Sequence, residues 1–197
     1  MTLPFQSEII MATYVTNDKG DGEQLEKQGR EVDLDDLDEV LAALLDPTVT
    51  IANLSFGYPP FGDEGIEKIA EGLQHENCRV TELYLAENNI GDKGTEHLVS
   101  ALQHENCRVT NLDLRDNNIG DESAEHLVRA LQHENCRLTN LDLVGNNIGD
   151  EGAEQLIRAL QHENCRLTNL DLDDNNVDQS VLDRLQPFLA AMKEQNK

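Results

Sequence analysis

The sequence predicts an α/β solenoid in which short parallel strands and helices alternate, and three observations support this prediction. The string LQHENCR, followed by V/L-T-x-L-x-L-x-x-N-N-I/V, occurs four times with a constant period of 29 residues. Within each copy, an apolar alternation typical of a strand precedes an apolar spacing typical of a helix. Neither element can bury its apolar face alone, so neighbouring copies must stack.

The strand of each repeat is predicted from a period of two. In the second copy, Val109, Leu112 and Leu114 are interleaved with polar residues, which indicates a strand with one buried face. The equivalent leucines of successive copies should therefore form two columns of the core. These columns are Leu83, Leu112, Leu141 and Leu170, and Leu85, Leu114, Leu143 and Leu172.

The helix of each repeat is predicted from apolar residues at helical spacing, such as Ala124, Leu127 and Leu131, which give the helix one apolar stripe. A carboxylate at a helix N-cap accepts hydrogen bonds from unpaired backbone N–H groups and favours the positive end of the dipole. We therefore expect three aspartates to cap their own helices, each after a glycine that eases the sharp entry. They are Asp92, Asp121 and Asp150, preceded by Gly91, Gly120 and Gly149.

The repeated string L-x-x-L-x-L-x-x-N-x-I/L resembles a leucine-rich repeat over residues 35–195. The 29-residue length, the helix opening G-D-x-G/S-A/T and the cysteine before the strand are similar to the ribonuclease-inhibitor class of that family. The resemblance implies a right-handed α/β horseshoe segment, with parallel strands on the concave face and helices on the convex face. It also implies that the repeated asparagines form a ladder that hydrogen-bonds backbone in the turns. These are Asn88, Asn117, Asn146 and Asn175.

The N-terminal part is expected to differ from the repeats. Residues 1–34 show no basic segment followed by an apolar one, so we predict neither a signal peptide nor an anchor. We interpret them as a partly flexible segment in which Glu8 to Thr16 form a strand or a lid over the first repeat. Residues 35–48 place Leu37 and Leu44 one period before helix positions of the next unit, which predicts a helical N-terminal cap.

The remaining units are assigned from the same register. Residues 49–77 keep the strand pattern but carry Pro59-Pro60 in place of the Asn-Asn turn, so this degenerate repeat should lack the asparagine ladder. Regular repeats follow over residues 78–106, 107–135 and 136–164. The final repeat and C-terminal cap occupy residues 165–197, where Pro187 should alter the interior or end of the helix. We predict five strands and six helices in one domain, residues 35–197.

The net charge restricts the class of partner, and the cysteines restrict the cellular compartment. The net charge of −24 argues against nucleic acid and membrane surfaces as partners, because both need clustered Lys and Arg. It favours a protein partner with a basic surface. One cysteine falls at the same position of each repeat, in a chain without a secretory signal, so we expect free, buried thiols and a cytoplasmic location. We also expect a monomer. These cysteines are Cys78, Cys107, Cys136 and Cys165.

The functional residues are expected where the strands direct side chains away from the core. Adjacent strands lie about 4.8 Å apart, so Asp113, Asp142 and Asp171 should form a ladder of mutually repelling carboxylates. A basic surface would relieve that repulsion and would be steered in by it. We interpret Tyr84 and Arg115 as anchors, because both residue types are enriched at binding hot spots. The complete predicted set is Glu82, Tyr84, Glu87, Asp113, Arg115, Asp116, Asp142, Val144, Asp171 and Asp173.

Metal binding and catalysis are not predicted. Aspartates in a parallel ladder fan outward and do not converge on the six or more oxygens that calcium takes. The His and Cys of the repeated H-x-x-C string should face different directions, which does not suit zinc. The sequence has no glycine-rich phosphate loop and no G-x-S-x-G elbow. We therefore expect no cofactor, no metal and no enzymatic activity.

The resemblance leaves two further hypotheses open. GTPase-activating proteins of the Ran system use a similar solenoid, so a regulator of a small GTPase is the alternative function. Arg115 is the basic residue of the concave columns, yet no motif marks it as catalytic. Similar repeats also occur in cytosolic immune receptors and some bacterial effector proteins, which suggests an effector that acts in the cytoplasm of a host cell.

Overall fold

The structure is a computed structural model that describes residues 37–47, 51–56 and 60–195. In these ranges six helices alternate with five strands, as the sequence predicted. The helices are α1 (Leu37–Leu45), α2 (Gly62–Leu73), α3 (Asp92–Leu102), α4 (Asp121–Leu131), α5 (Asp150–Ala159) and α6 (Gln179–Gln195). The strands are β1 (Asn53–Ser55), β2 (Glu82–Tyr84), β3 (Asn111–Asp113), β4 (Asn140–Asp142) and β5 (Asn169–Asp171). The predictions for residues 1–34 and for the turn at Pro59 fall outside the described residues.

The strands form one parallel sheet in the order β1-β2-β3-β4-β5. Each strand pairs with the next at an offset of one repeat, so that Leu83 lies beside Leu112, and Leu112 lies beside Leu141. The two predicted leucine columns are confirmed, because each of their eight members is at most 3% exposed. The alternation therefore places one strand face in the core and the other on the surface.

The predicted asparagine ladder is also confirmed. Asn117 is 6% exposed, and its Nδ2 donates to the carbonyl of Leu85 at 2.9 Å in the preceding repeat. Asn146 donates in the same way to Leu114 at 2.9 Å. The Oδ1 atom of Asn117 accepts from the N–H of Asn88 and Ile90. Buried backbone groups that lie outside regular secondary structure thereby gain partners.

A second ladder runs along the HENC turns, and the sequence analysis missed it. The Nδ1 atom of His104 accepts from the N–H of Asn106 at 3.2 Å, which holds the turn after the helix. Asn106 then donates from Nδ2 to the carbonyl of Gln74 at 3.0 Å, in the preceding repeat. The same pair of bonds recurs at Asn77, Asn135 and Asn164. Backbone support therefore explains the repeated His and Asn without any metal site.

The prediction that aspartates cap their own helices is wrong. The N-caps are Gly91, Gly120 and Gly149, and none of these helices has a side-chain cap hydrogen bond. The aspartate is instead the first helical residue, and its carboxylate reaches the next repeat. Asp121 Oδ1 accepts from the N–H of Gly149 at 2.7 Å and of Gly152 at 3.0 Å. Each carboxylate thus supports the start of the following helix, where the dipole also favours a negative charge.

The first and last of the described helices cover the two ends of the described sheet. At the N-terminal end, Val40 and Leu44 of α1 are buried and α1 packs on α2. At the other end, α6 contacts both α5 and β5. It continues through Pro187 to Gln195, so Pro187 lies inside the helix and does not end it. Leu170 of the last strand stays 2% exposed.

The cysteines are free, as predicted, with one difference. Cys78, Cys107 and Cys136 are buried, whereas Cys165 in the last repeat is partly exposed. Burial is the first cause that raises the pKa of each thiol, and it raises the pKa of Cys107 to about 11. Because the thiolate is the reactive form, the raised pKa makes these groups poor nucleophiles.

Candidate interaction surface on the concave sheet face

The concave sheet face comprises the side chains that the strands, and the turns after them, direct away from the leucine core. Two columns lie in register across the sheet: Asn53, Glu82, Asn111, Asn140 and Asn169, and Ser55, Tyr84, Asp113, Asp142 and Asp171. A third column follows two residues later and contains Ala86, Arg115, Val144 and Asp173. All ten predicted site residues belong to the described part of the chain.

Tyr84 and Glu82 form the polar part of β2. The Tyr84 hydroxyl donates to Glu82 Oε2 at 2.6 Å. This hydrogen bond to a carboxylate is the main cause that raises the pKa of Tyr84, and burial adds to it. Tyr84 is half-buried, so its ring is fixed in position while part of its surface remains accessible.

Arg115 contacts two of the three aspartates that the sequence predicted to repel one another, Asp113 and Asp142. Its positive charge offsets part of that repulsion. Its Nε and NH2 atoms donate to the two carboxylate oxygens of Asp113, at 2.9 and 2.7 Å. Its Nε also lies 3.5 Å from Asp142 Oδ2 in the next repeat. Asp113 is only 7% exposed, because the guanidinium covers it. This arrangement raises the pKa of Arg115, chiefly through the hydrogen bond to Asp113.

The ladder aspartates also have a local structural role. Asp113 Oδ1 accepts from the N–H of Arg115 at 3.0 Å, and Asp142 Oδ1 accepts from the N–H of Val144 at 3.2 Å. Asp171 Oδ1 makes the same bond to Asp173 at 3.0 Å. Such bonds to the residue two positions later are a common use of Asp at a turn. They fix the direction of each carboxylate at the end of its strand.

Asp142 and Asp171 differ from Asp113 in their electrostatic surroundings. Burial raises the pKa of Asp142, the Val144 N–H and Arg115 lower it, and the carboxylates of Asp113 and Asp171 raise it, for a net upward shift. Within the described residues, no basic side chain forms an ion pair with Asp171. The uncompensated negative charge of the face therefore lies toward β5, where Asp173 and Asp174 are also exposed.

The predicted residues Glu87 and Asp116 lie in the turns after β2 and β3. Both adopt the left-handed backbone region, with φ of 60° and 53°. The equivalent residues Gly145 and Asp174 have φ of 69° and 55°. This region costs an L-residue with a side chain about 1 kcal/mol. Backbone geometry therefore restricts which residues this column accepts.

An amide ladder on the same face was not predicted. Asn169 Nδ2 donates to Asn140 Oδ1 at 2.6 Å, and Asn140 donates in the same way to Asn111. The sequence did show an asparagine at this position in four of the five strands, with Glu82 in β2, but the direction of an amide cannot be taken from a repeat period. The ladder forms a fixed polar strip beside the aspartates.

Elsewhere in the described ranges, the structure offers weaker candidates for a functional site. No three His, Cys, Asp or Glu side chains there are grouped so that they could hold a metal ion. A bilayer span needs about 20 consecutive apolar residues, and none of the six described helices meets that requirement. An open groove lies between α5 and α6, lined in part by Ile157, Pro187 and Phe188. A salt bridge of 2.5 Å from Arg184 to Glu154 lies among its lining residues.

Parallel strands on one side, helices on the other and asparagine-bonded turns define the class of protein as an α/β repeat solenoid. The family model described as "Leucine Rich repeat" matches residues 76–99, 105–128 and 134–156. Residues 76–156 therefore contain leucine-rich repeats, and the parallel sheet with its helices is the solenoid that such repeats form. No curated protein sequence matches the chain.

Solved structures show the same fold at low sequence identity. The structure of Leiomodin-1 Actin-Binding Site 2 is 19% identical, with a TM-score of 0.65, and the match covers 81% of this chain and 91% of that chain. The tropomodulin C-terminal domain of Caenorhabditis elegans is 15% identical, with a TM-score of 0.59, and the match covers 81% of this chain and 95% of that chain. At these identities the likeness concerns the fold.

Proposed function

We propose that the protein is a non-enzymatic interaction module that binds a protein partner with a basic surface through the concave sheet face. The supporting observation is the charge of that face. Eight of its side chains are carboxylates and one, Arg115, is basic. The carboxylates are Glu82, Glu87, Asp113, Asp116, Asp142, Asp171, Asp173 and Asp174. Such a field accelerates encounter with a cationic surface and disfavours acidic partners.

The two proposed anchors differ in what they offer a partner. Tyr84 presents an aromatic ring held by Glu82, so little rotational freedom is lost when it packs against a partner. Arg115 is 48% exposed at its side chain while bound to Asp113, and it separates the Tyr84 region from the acidic end of the face. Pre-organised aromatic and guanidinium groups of this kind dominate many interfaces.

The test is a binding measurement with a basic protein that the wild-type chain captures from a cell lysate. Tyr84→Ala combined with Arg115→Ala should weaken binding by about 2 kcal/mol or more, which is the usual size of a hot-spot effect. The matched control is His126→Ala with Arg129→Ala, which removes an aromatic ring and a guanidinium from helix α4. Equal affinity of wild type and of the Tyr84/Arg115 double variant would show that the concave sheet face is not the binding site.

Actin provides a defined protein for the same assay, because one of the similar structures is described as an actin-binding site. Sedimentation with purified actin, at low and at high salt, gives a direct reading. Binding lost in the Tyr84/Arg115 double variant would name a partner for the concave sheet face. Binding retained in that variant would place an actin contact on another surface and count against the proposed site.

A further inference from the structure

Arg115 shows how the concave sheet face holds a guanidinium. The side chain lies over two aspartates that are direct neighbours across β3 and β4. Nε donates to Asp113 Oδ1 at 2.9 Å, and NH2 donates to Asp113 Oδ2 at 2.7 Å. Nε is also 3.5 Å from Asp142 Oδ2. Two stacked carboxylates, each fixed by a backbone N–H, thus form the receiving site for one arginine.

The next repeat has the same backbone and the same two carboxylates but no arginine. Asp142 and Asp171 are register neighbours across β4 and β5, and each accepts the N–H of the residue two positions later. The position equivalent to Arg115 is Val144, which is half-buried. The amide pair Asn140–Asn169 borders this place, as the pair Asn111–Asn140 borders the preceding one.

We infer that the space above Val144, between Asp142 and Asp171, is a subsite for an arginine side chain of the protein partner. The arginine would take the place that Arg115 fills one repeat earlier, with its guanidinium on the two carboxylates and its methylene groups against Val144. This inference rests on the proposed function and narrows it, because it names one partner side chain and its position on the sheet face.

An arginine fits the subsite better than other cations. In the preceding repeat the planar fork of Arg115 meets both oxygens of Asp113 and lies near Asp142. The compact ammonium of lysine would use two neighbouring carboxylates of this kind less well. A calcium ion takes six or more oxygens, and no metal-holding group of side chains occurs in the described ranges. The subsite is open on the solvent side, since Asp171 is half-buried and Asp173 is exposed.

The experiment is a titration of the isotope-labelled protein with the peptide acetyl-Gly-Arg-Gly-amide, followed by amide chemical shifts. The matched lysine peptide is the second ligand. The expected result is a set of shifts confined to residues 140–145 and 169–174, with weaker binding of the lysine peptide. Val144→Arg should fill the subsite from within and abolish the response. The control Ser100→Arg adds the same charge on the exposed surface of α3 and should leave the response unchanged.

A second variant covers the case in which Val144→Arg does not fold. Asp171→Asn keeps the acceptor for the Asp173 N–H but removes one carboxylate charge. It should weaken the affinity for the arginine peptide by about tenfold. Equal binding of the arginine peptide to wild type and to Asp171→Asn would overturn the subsite. Shifts spread over the acidic surface of the helices, or equal for arginine and lysine, would do the same.

Failure of the subsite and failure of the proposed function have different signatures. A partner that depends on Tyr84 and Arg115 and yet binds the Val144→Arg variant as tightly as wild type would refute the subsite but leave the proposed function standing. A partner that binds the Tyr84/Arg115 double variant as tightly as wild type would refute the concave sheet face as the binding site.

Discussion

Asn117 shows how much of the fold depends on single polar side chains. Its Nδ2 donates to the carbonyls of Leu85, Leu114 and Arg115 at 2.9 to 3.0 Å. Its Oδ1 accepts from two N–H groups of the preceding repeat. Most of these groups are buried, so water cannot replace the asparagine without cost. A residue that looks polar in the sequence is therefore part of the core.

Replacing Asn117 with Ala should reduce the free energy of unfolding by about 3 kcal/mol or more, because several buried backbone groups lose their partner at once. Urea unfolding followed by circular dichroism measures the effect. The neighbouring Asn118 is exposed, so Asn118→Ala is the control and should change stability by less than about 0.5 kcal/mol. Similar losses for the two variants would contradict the ladder.

The second residue-level prediction concerns pH. The folded protein raises the pKa of Asp142 above its ordinary 3.8, through burial and then through the carboxylates of Asp113 and Asp171. The folded state therefore binds this proton more tightly than the unfolded state, and the contribution of Asp142 to stability falls as pH rises through the raised pKa. Asp142→Asn should gain stability relative to wild type over the same window.

Urea unfolding of wild type and Asp142→Asn between about pH 3 and about pH 7 gives the measurement. Asparagine keeps the acceptor for the Val144 N–H, so the comparison isolates the charge. A stability difference that is constant across the series, or one that shrinks as pH rises, would show that the surroundings of Asp142 do not disfavour its ionised form.

At the level of elements, the helix starts are joined to one another by carboxylates. Asp121 Oδ1 accepts from Gly149 and Gly152 at the start of α5. A Cβ atom at position 152 would lie 2.6 Å from that oxygen and 3.0 Å from Ala124 Cβ. In the α4 helix the equivalent residue is Ser123, whose hydroxyl donates to Asp92. The repeated G/S position is thus set by close approach between repeats.

Gly152→Ala should destabilise the protein by about 1–3 kcal/mol through overpacking, although alanine is the better helix former by about 1 kcal/mol. The control is Glu151→Ala, one position earlier and exposed, which should be close to neutral. Thermal or urea unfolding of both variants decides the point. A Gly152→Ala variant as stable as wild type would mean that Asp121 moves away freely.

The elements themselves were predictable from the sequence, and the bonds between repeats were not. A period of two and a helical spacing identify strands, helices and the leucine columns, because burial depends on position within one repeat. Whether Asp121 bonds its own helix or the next one depends on geometry between repeats, which an exact period does not contain. For the same reason, the binding of Arg115 across Asp113 and Asp142 replaced the expected open acidic ladder.

For the whole molecule, stacking predicts non-uniform stability. The β3 and β4 strands have a paired strand on each side, whereas β1 lies at an edge of the sheet. Each repeat of a solenoid is stabilised by its immediate neighbours. We therefore expect the slowest amide hydrogen exchange at residues 110–114 and 139–143, and faster exchange at residues 52–56. Hydrogen exchange followed by mass spectrometry or NMR tests this order, and the reverse order would contradict the stacking account.

The charge distribution is the whole-molecule feature on which the proposed function depends. The total of −24 would attract basic proteins to any surface, so the location of the charge must be separated from its amount. Two variants with the same total charge do this. One changes Asp171, Asp173 and Asp174 to Asn on the concave sheet face, and the other changes Glu96, Glu125 and Glu151 to Gln on the helices.

The measurement that tests the central claim most directly is capture of proteins from a cell lysate by wild type and by these two triple variants, at low and at high salt. The proposal predicts a basic protein that binds wild type and the helix variant equally, is lost from the concave variant, and is released by salt. Equal loss of the captured protein from both variants would show that binding depends only on the total charge. Capture of the same protein by the concave variant and by wild type, in equal amounts, would contradict binding through the concave sheet face.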